Sequence, residues 1–185
     1  MKLRWLPNAI TISRMVMALP LLWLLMIDDY RSALWLALVA GLSDALDGFI
    51  AKTFDWRSAL GGILDPIADK LLLSVCFFGL WWSLHLPTWL VALVFARDLV
   101  IVVGALAWWR LMGTFKPAPS LLSKMNTTLQ IGLVAVVLAH LALWRVPLVF
   151  LQSLLLATAL LTLLSGLDYV IRYGSRAWRA LGSRQ

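Results

Sequence analysis

Nine aspartates and no glutamate supply all the side-chain acidity of this chain, and five of the nine fall between Asp44 and Asp69. In the run SDALDGFIAKTFDWRSALGGILDPIADK, Asp44 and Asp47 stand three residues apart, and Asp65 and Asp69 stand four apart. Residues three or four apart share one face of a helix, so two such pairs on adjacent antiparallel helices can converge on one point. The residues from about Thr53 to Ser58 form the connecting turn. The fifth aspartate, Asp55, lies in that turn, where solvation or pairing with Arg57 accounts for it, and it is left outside the site.

Holding one carboxylate at the centre of a bilayer costs about 2.5–3.5 kcal/mol on insertion scales, and crowded like charges repel in addition. Lys52 and Lys70 offer only two nearby cations, and neither His85 nor His140 falls in the cluster. The remaining balance points to bound cations. An all-oxygen donor set favours Mg²⁺ or Mn²⁺ over Zn²⁺. Two such ions, roughly 4 Å apart, suit phosphoryl chemistry, because they neutralise a diphosphate and stabilise the attacking and leaving oxygens.

Other uses of the same residues stay open at this point. Any single aspartate of the four fits a snorkelling or salt-bridged group near a helix end, and the set fits a proton or cation pathway, which would make the chain an ion-coupled transporter. Transporter sites tend to lie at the midplane between repeats, whereas these aspartates gather at one end of two spans in a chain without a visible repeat. Gly48, beside Asp47, costs about 1 kcal/mol in a helix relative to alanine, which suggests a bulky group approaching the backbone there. Gly61, Gly62 and Ala51 fit either that role or close helix packing.

The elements that must position these groups are membrane helices. The chain is 62% hydrophobic with a mean hydropathy of +0.89, more apolar surface than a soluble domain of 185 residues can bury. Apolar runs of bilayer length recur near residues 8–27, 32–53, 60–83, 88–110, 121–143 and 147–171. The expected fold is all-α, six transmembrane helices in one bundle, forming a single membrane domain over residues 1–185. The first run is too long for a signal peptide and lacks a cleavage site after it, so it is expected to stay. The net charge of +7 does not point to nucleic acid, because its distribution follows the positive-inside rule. With both termini in the cytoplasm, Lys52, Arg57, Arg110, Lys116, Lys124 and the basic tail from Arg172 to Arg184 share one side, against Arg31 and Arg145 on the other. That tail, with Trp178 among its charges, suits anionic head groups. The lone Cys76 reads as helix packing.

Taken together, Asp44, Asp47, Gly48, Ala51, Lys52, Gly61, Asp65 and Asp69 resemble the signature D-x2-D-G-x2-A-R-x8-G-x3-D-x3-D of the CDP-alcohol phosphatidyltransferases. Every spacing fits, and Lys52 is the single departure, standing where the family pattern has arginine. The opening LPNAITISR resembles the family's N-terminal segment, ARDLV its fourth-helix motif and SKMNTTLQ a fifth-helix motif, while the last span matches only in being apolar. The resemblance implies a six-helix, usually dimeric fold with a polar cavity open to the cytoplasm of a bacterial inner membrane. It further implies that Asp44, Asp47, Asp65 and Asp69 hold two divalent metal ions. Asp69 would also act as general base on the acceptor hydroxyl, taking the proton late because a metal-held carboxylate is a poor base. Gly48, Ala51, Lys52 and Gly61 would border the CDP group, and Lys52 brings a point charge where arginine brings a planar fork. Asn8, Thr11 and Arg14, at three-residue spacing, would lie near the donor phosphates; a helix cap for Asn8 and a snorkelling side chain for Arg14 are the plainer readings.

The reaction so implied moves the phosphatidyl group of CDP-diacylglycerol onto an alcohol. Within the family, GLSDALDGFIA, RSALGGILDPIADK and SKMNTTLQ resemble most the single-motif cardiolipin synthases, whose acceptor is phosphatidylglycerol. Phosphatidylglycerophosphate synthases, which take glycerol 3-phosphate, share most of these motifs. They tend to carry a lysine where Asn126 stands and a further arginine after the fourth-helix motif, where Leu99 to Trp109 is uncharged. Arg97, Lys124, Asn126 and Thr127 are the expected acceptor contacts; an interhelical ion pair is the plainer reading of Arg97 with Asp98.

Overall fold

The computed structural model describes residues 6–53, 61–113 and 120–182, with side chains described within 11–43, 64–110, 113 and 120–175. It is all-helical among these residues: α1 (Leu6–Met26), α2 (Tyr30–Thr53), α3 (Gly61–Trp82), α4 (Thr88–Met112), α5 (Leu121–Ala142) and α6 (Leu148–Gly182). The six helices fall where the apolar runs predict them, with one difference at the end. The last apolar run stops near residue 171, whereas α6 continues to Gly182. Nothing between Arg172 and Ala180 breaks a helix except the tolerated Gly174, so the polar tail extends the span instead of leaving it.

Among the described residues, α4, α5 and α6 are long and apolar enough to cross a membrane, and α1 adds a shorter apolar stretch, Thr11–Met26. Large apolar side chains such as Leu19, Trp23, Leu106, Leu156 and Leu160 point outward on these helices. In water that exposure would be costly; in lipid it is the solvated face.

Contacts divide the chain into two compact units, residues 1–86 with 134–146, and residues 87–133 with 147–185. In the first, α1 packs against both α2 and α3 over Ala18, Leu21, Leu25, Ala33, Leu34, Phe77 and Leu80. α1 and α3 run parallel: Arg14 meets Asp69 near one end, and Leu25 meets Gly79 and Ser83 near the other. A Cβ on Gly79 would lie 2.6 Å from Leu25 Cδ1, so the glycine is what lets the two helices approach.

Two tight closures end helices in this unit. Asp28 takes a φ of 61°, Asp28 N–H donates to Leu25 O and Asp29 N–H to Leu24 O, a Schellman closure of α1 with aspartate where glycine is usual. Asp29 then caps α2, accepting from Ser32 N–H at 3.2 Å, and these Ser32 hydrogen bonds hold its carboxyl below the ordinary range. Leu84, at φ 60°, repeats the closure at the end of α3, with Leu84 N–H on Trp81 O and His85 N–H on Leu80 O.

In the second unit α4 and α6 also run parallel. Arg97 faces Ser165, the Tyr169 hydroxyl donates to Ile101 O at 3.1 Å, and Trp108 meets Tyr173 edge-on. The first half of α5 runs antiparallel to α6, with Asn126 beside Thr162. Within each unit, helices two apart in sequence are parallel and sequential helices antiparallel where their contacts are described, the arrangement that successive membrane crossings require.

Candidate functional site

Thr11 and Arg14 stand three residues apart on α1 and share the face turned toward α3. Both side chains are buried, Thr11 at 0% and Arg14 at 1% exposure. Opposite them, Asp65 and Asp69 share one face of α3, with side chains 45% and 52% exposed. The Thr11 hydroxyl donates to Asp65 Oδ1 at 2.5 Å. The Arg14 guanidinium spans the pair, with Nη1 2.6 Å from Asp69 Oδ1 and Nη2 3.5 Å from Asp65 Oδ1. A buried arginine is tolerated on an apolar helix only with anionic partners, and this one finds two carboxylates whose side chains are about half exposed.

Of the residues expected at the metal and donor site, these four are therefore brought together. The side chains of Asn8, Asp44, Asp47, Gly48, Ala51, Lys52 and Gly61 lie outside those described. The α2 backbone is helical through Thr53, which puts Asp44 and Asp47 on one helix at the spacing the sequence reading requires. Among the described residues no three acidic, histidine or cysteine side chains converge as a complete metal cage. Asp65 and Asp69 do supply hard oxygen donors, and the guanidinium lodged between them shows that the pair draws positive charge. Their chemistry fits Mg²⁺ or Mn²⁺.

The residues expected at the acceptor site separate into two kinds. Arg97 (7% exposed) and Asn126 (0%) are buried, whereas Lys124 and Thr127 are exposed. Arg97 Nη1 donates to Asp98 Oδ1 at 3.0 Å, and Nη2 donates to Ser123 Oγ at 2.6 Å and to Ser165 Oγ at 2.7 Å. Asn126 Oδ1 accepts from Thr162 Oγ1 at 2.8 Å, which in turn accepts from Gln130 Nε2 at 3.3 Å. Thr127 turns its hydroxyl back to Ser123 O at 3.2 Å, a local bond within α5.

The sequence reading missed the partners that α6 brings. Thr158, Thr162 and Ser165 are all buried, at positions i, i+4 and i+7 of a leucine-rich span. Three small polar residues at helical spacing in such a span form a stripe, and that stripe is the signal that could have found them. Cys76 is buried, as its apolar setting predicts.

With this geometry established, comparison with known proteins fixes the class. The sequence profile of the CDP-alcohol phosphatidyltransferase family matches residues 4–165, and the chain belongs to that family. The chain is 33% identical to a human cardiolipin synthase (CMP-forming) over 92% of its own length and 62% of that protein's. It is 30% identical to a CDP-diacylglycerol–glycerol-3-phosphate 3-phosphatidyltransferase of Aquifex aeolicus over 90% of its own length and 94% of that protein's. To the Bacillus subtilis enzyme of the same description the identity is 28%, covering 95% of this chain and 96% of that one. The chain thus spans about three fifths of the length of its human and rat relatives.

Proposed function

We propose that this chain transfers the phosphatidyl group of CDP-diacylglycerol to phosphatidylglycerol, giving cardiolipin and CMP. The observation that carries the phosphatidyl-transfer reading is the pair Asp65 and Asp69, at the last two signature positions, half exposed and facing the buried Thr11 and Arg14. Two divalent ions, Mg²⁺ or Mn²⁺, held by Asp44, Asp47, Asp65 and Asp69, would supply neutralisation of the diphosphate and of the departing CMP. In the step itself the acceptor hydroxyl oxygen bonds to the lipid-side phosphorus as the anhydride P–O bond to CMP breaks. The proton passes to Asp69. Arg14 Nη1, 2.6 Å from Asp69 Oδ1, orients the carboxylate that takes this proton as the new P–O bond forms. Thr11 and Arg14 orient the carboxylates and face the donor phosphates. Gly48, Ala51, Lys52 and Gly61 border the CDP group, so Lys52→Ala should raise the donor KM, whereas Lys52→Arg, which restores a forked donor, should not.

The choice of acceptor rests on charge. A free phosphate monoester carries nearly two negative charges and calls for several cations in fork or cluster geometry. Arg97 is one buried cation on α4, and Asn126, fully buried and committed to Thr162, adds none. A lipid diester needs less, and Arg97 with Lys124 suffices for it. Glycerol 3-phosphate is the second reading, favoured by the nearly full-length similarity to the two bacterial glycerol-3-phosphate enzymes.

We read the chain as a single multi-pass domain of a bacterial inner membrane, acting as a homodimer with both termini and the site on the cytoplasmic side. The lysine and arginine bias supports the orientation. The acceptor assignment is tested by CMP release from purified protein with CDP-diacylglycerol and each acceptor at matched concentration. Faster turnover with phosphatidylglycerol is expected; faster turnover with glycerol 3-phosphate would overturn it and leave the metal chemistry intact.

A further inference from the structure

We infer that Ser165 of α6, together with Ser123 of α5, is a positioning residue that fixes the plane of the Arg97 guanidinium and so presents its unspent donors to the acceptor's anionic group. The inference rests on the reading of Arg97 as an acceptor contact and extends it to a helix with no motif of its own. A guanidinium has five N–H donors in one rigid plane. Here Nη2 spends both of its hydrogens, one on Ser123 Oγ at 2.6 Å and one on Ser165 Oγ at 2.7 Å. Nη1 spends one on Asp98 Oδ1 at 3.0 Å. Nε is buried and finds no acceptor among the described residues. That leaves Nε and the second Nη1 hydrogen, and a buried donor without an acceptor is costly unless a ligand completes it.

The two serines are suited to this task because they are neutral. The guanidinium charge is already partly compensated by Asp98 on Nη1, and hydroxyls anchor Nη2 without adding a second anion to cancel it further. The aliphatic stem is held as well, since it lies against α6 at Gly166, where a Cβ would stand 3.4 Å from Arg97 Cγ. Further along the same parallel contact, the Tyr169 hydroxyl on Ile101 O and the Tyr169 ring over Gly104 fix the register of α6 against α4. Stem and one edge of the guanidinium are thus clamped from α5 and α6, and the remaining donors have a set direction.

The test measures kcat and separate KM values for CDP-diacylglycerol and for the acceptor in Ser165→Ala, Ser123→Ala, Arg97→Lys and Ser165→Ala/Arg97→Lys. Phosphatidylglycerol and glycerol 3-phosphate are assayed in parallel. Loss of one neutral hydrogen bond should raise the acceptor KM about three- to tenfold in either serine variant, with the donor KM unchanged. Arg97→Lys should raise it further, and Ser165→Ala should add less than about twofold in that background, because the residue it positions is gone. If Arg97→Lys raises the acceptor KM while both serine variants leave it at the parent value, the inference fails and the acceptor reading stands. If Arg97→Lys leaves the acceptor KM unchanged, the acceptor reading fails and takes the inference with it. Serine variants that raise both KM values alike, or lose as much in the Arg97→Lys background as alone, show a packing role and also overturn it.

Discussion

Arg14 and Arg97 are both buried arginines on helices that otherwise read as apolar, yet their surroundings differ in kind. Arg14 faces Asp65 and Asp69, whose side chains are about half exposed. Arg97 faces two serine hydroxyls and an Asp98 side chain only 12% exposed. In the first case the carboxylates are within reach of solvent and of a cation arriving from outside. In the second the arginine's partners are mostly buried, and among the described residues its Nε finds no acceptor. A polar cluster in a membrane helix can thus serve exchange or positioning, and the exposure of the arginine's partners distinguishes the two.

The largest effect is expected at the carboxylates: Asp44→Asn, Asp47→Asn, Asp65→Asn and Asp69→Asn should each lower CMP release by roughly 10²–10⁴, the usual range for losing a group that moves a proton or holds charge at the reacting centre. The variants should still insert in the membrane, since the amide keeps the size. Near-parent turnover in any two of them would remove the two-metal proposal.

Next come the arginines, whose order in stability should reverse their order of burial. Arg97→Ala withdraws a guanidinium from a nearly buried aspartate and should cost about 3–5 kcal/mol. Arg14→Ala leaves carboxylates that water can reach, so its cost is mainly that of emptying a buried side-chain site, about 2–3 kcal/mol. Thermal melting in detergent checks this; an equal or larger loss in Arg14→Ala would mean that the two clusters are not different in kind.

A smaller effect is expected at Gly79. An added Cβ there would lie 2.7 Å from Leu25 Cβ as well as close to its Cδ1, so α1 must move from α3, at about 1–3 kcal/mol. Gly79→Ala should therefore lower the melting temperature and, by loosening the helix pair that carries Arg14 and Asp69, reduce turnover. The smallest effect is at Asp29. Its carboxyl is held low by Ser32, so its contribution is present above the ordinary carboxylate pKa of about 4 and is lost as pH falls through the lower folded value. The melting difference between the parent and Asp29→Ala should be small at pH 7 and should shrink in acid; a difference constant from pH 7 to pH 3 would count against the charge on this cap.

Much of this architecture was legible in the chain. Apolar length located all six helices to within two residues at their starts, because bilayer thickness fixes span length so tightly. Asp65 and Asp69, placed four apart, share the face of α3 that meets α1, while the side chains of Asp44 and Asp47 lie outside those described. Thr11 and Arg14, expected near the donor phosphates from their resemblance to the family's N-terminal segment, face Asp65 and Asp69 directly. What stayed hidden was the work of α6. Serine and threonine are common in membrane helices, and Ser165 acquires a task only when parallel packing sets it beside Arg97, a contact across 68 positions that no local pattern encodes. The burial of Asn126 was hidden for the same reason: its partner, Thr162, lies 36 positions on.

Metal-dependent phosphatidyl transfer at the aspartates of α2 and α3 is the function proposed for this chain. The most direct measurement follows CMP released by the purified chain from CDP-diacylglycerol and phosphatidylglycerol, with Mg²⁺, with Mn²⁺ and with excess chelator, beside Asp69→Asn under the same conditions. Release is expected with either metal, none above background in chelator, and almost none from the variant with metal restored. Release that persists in chelator, or in Asp69→Asn at the parent's rate, would contradict it.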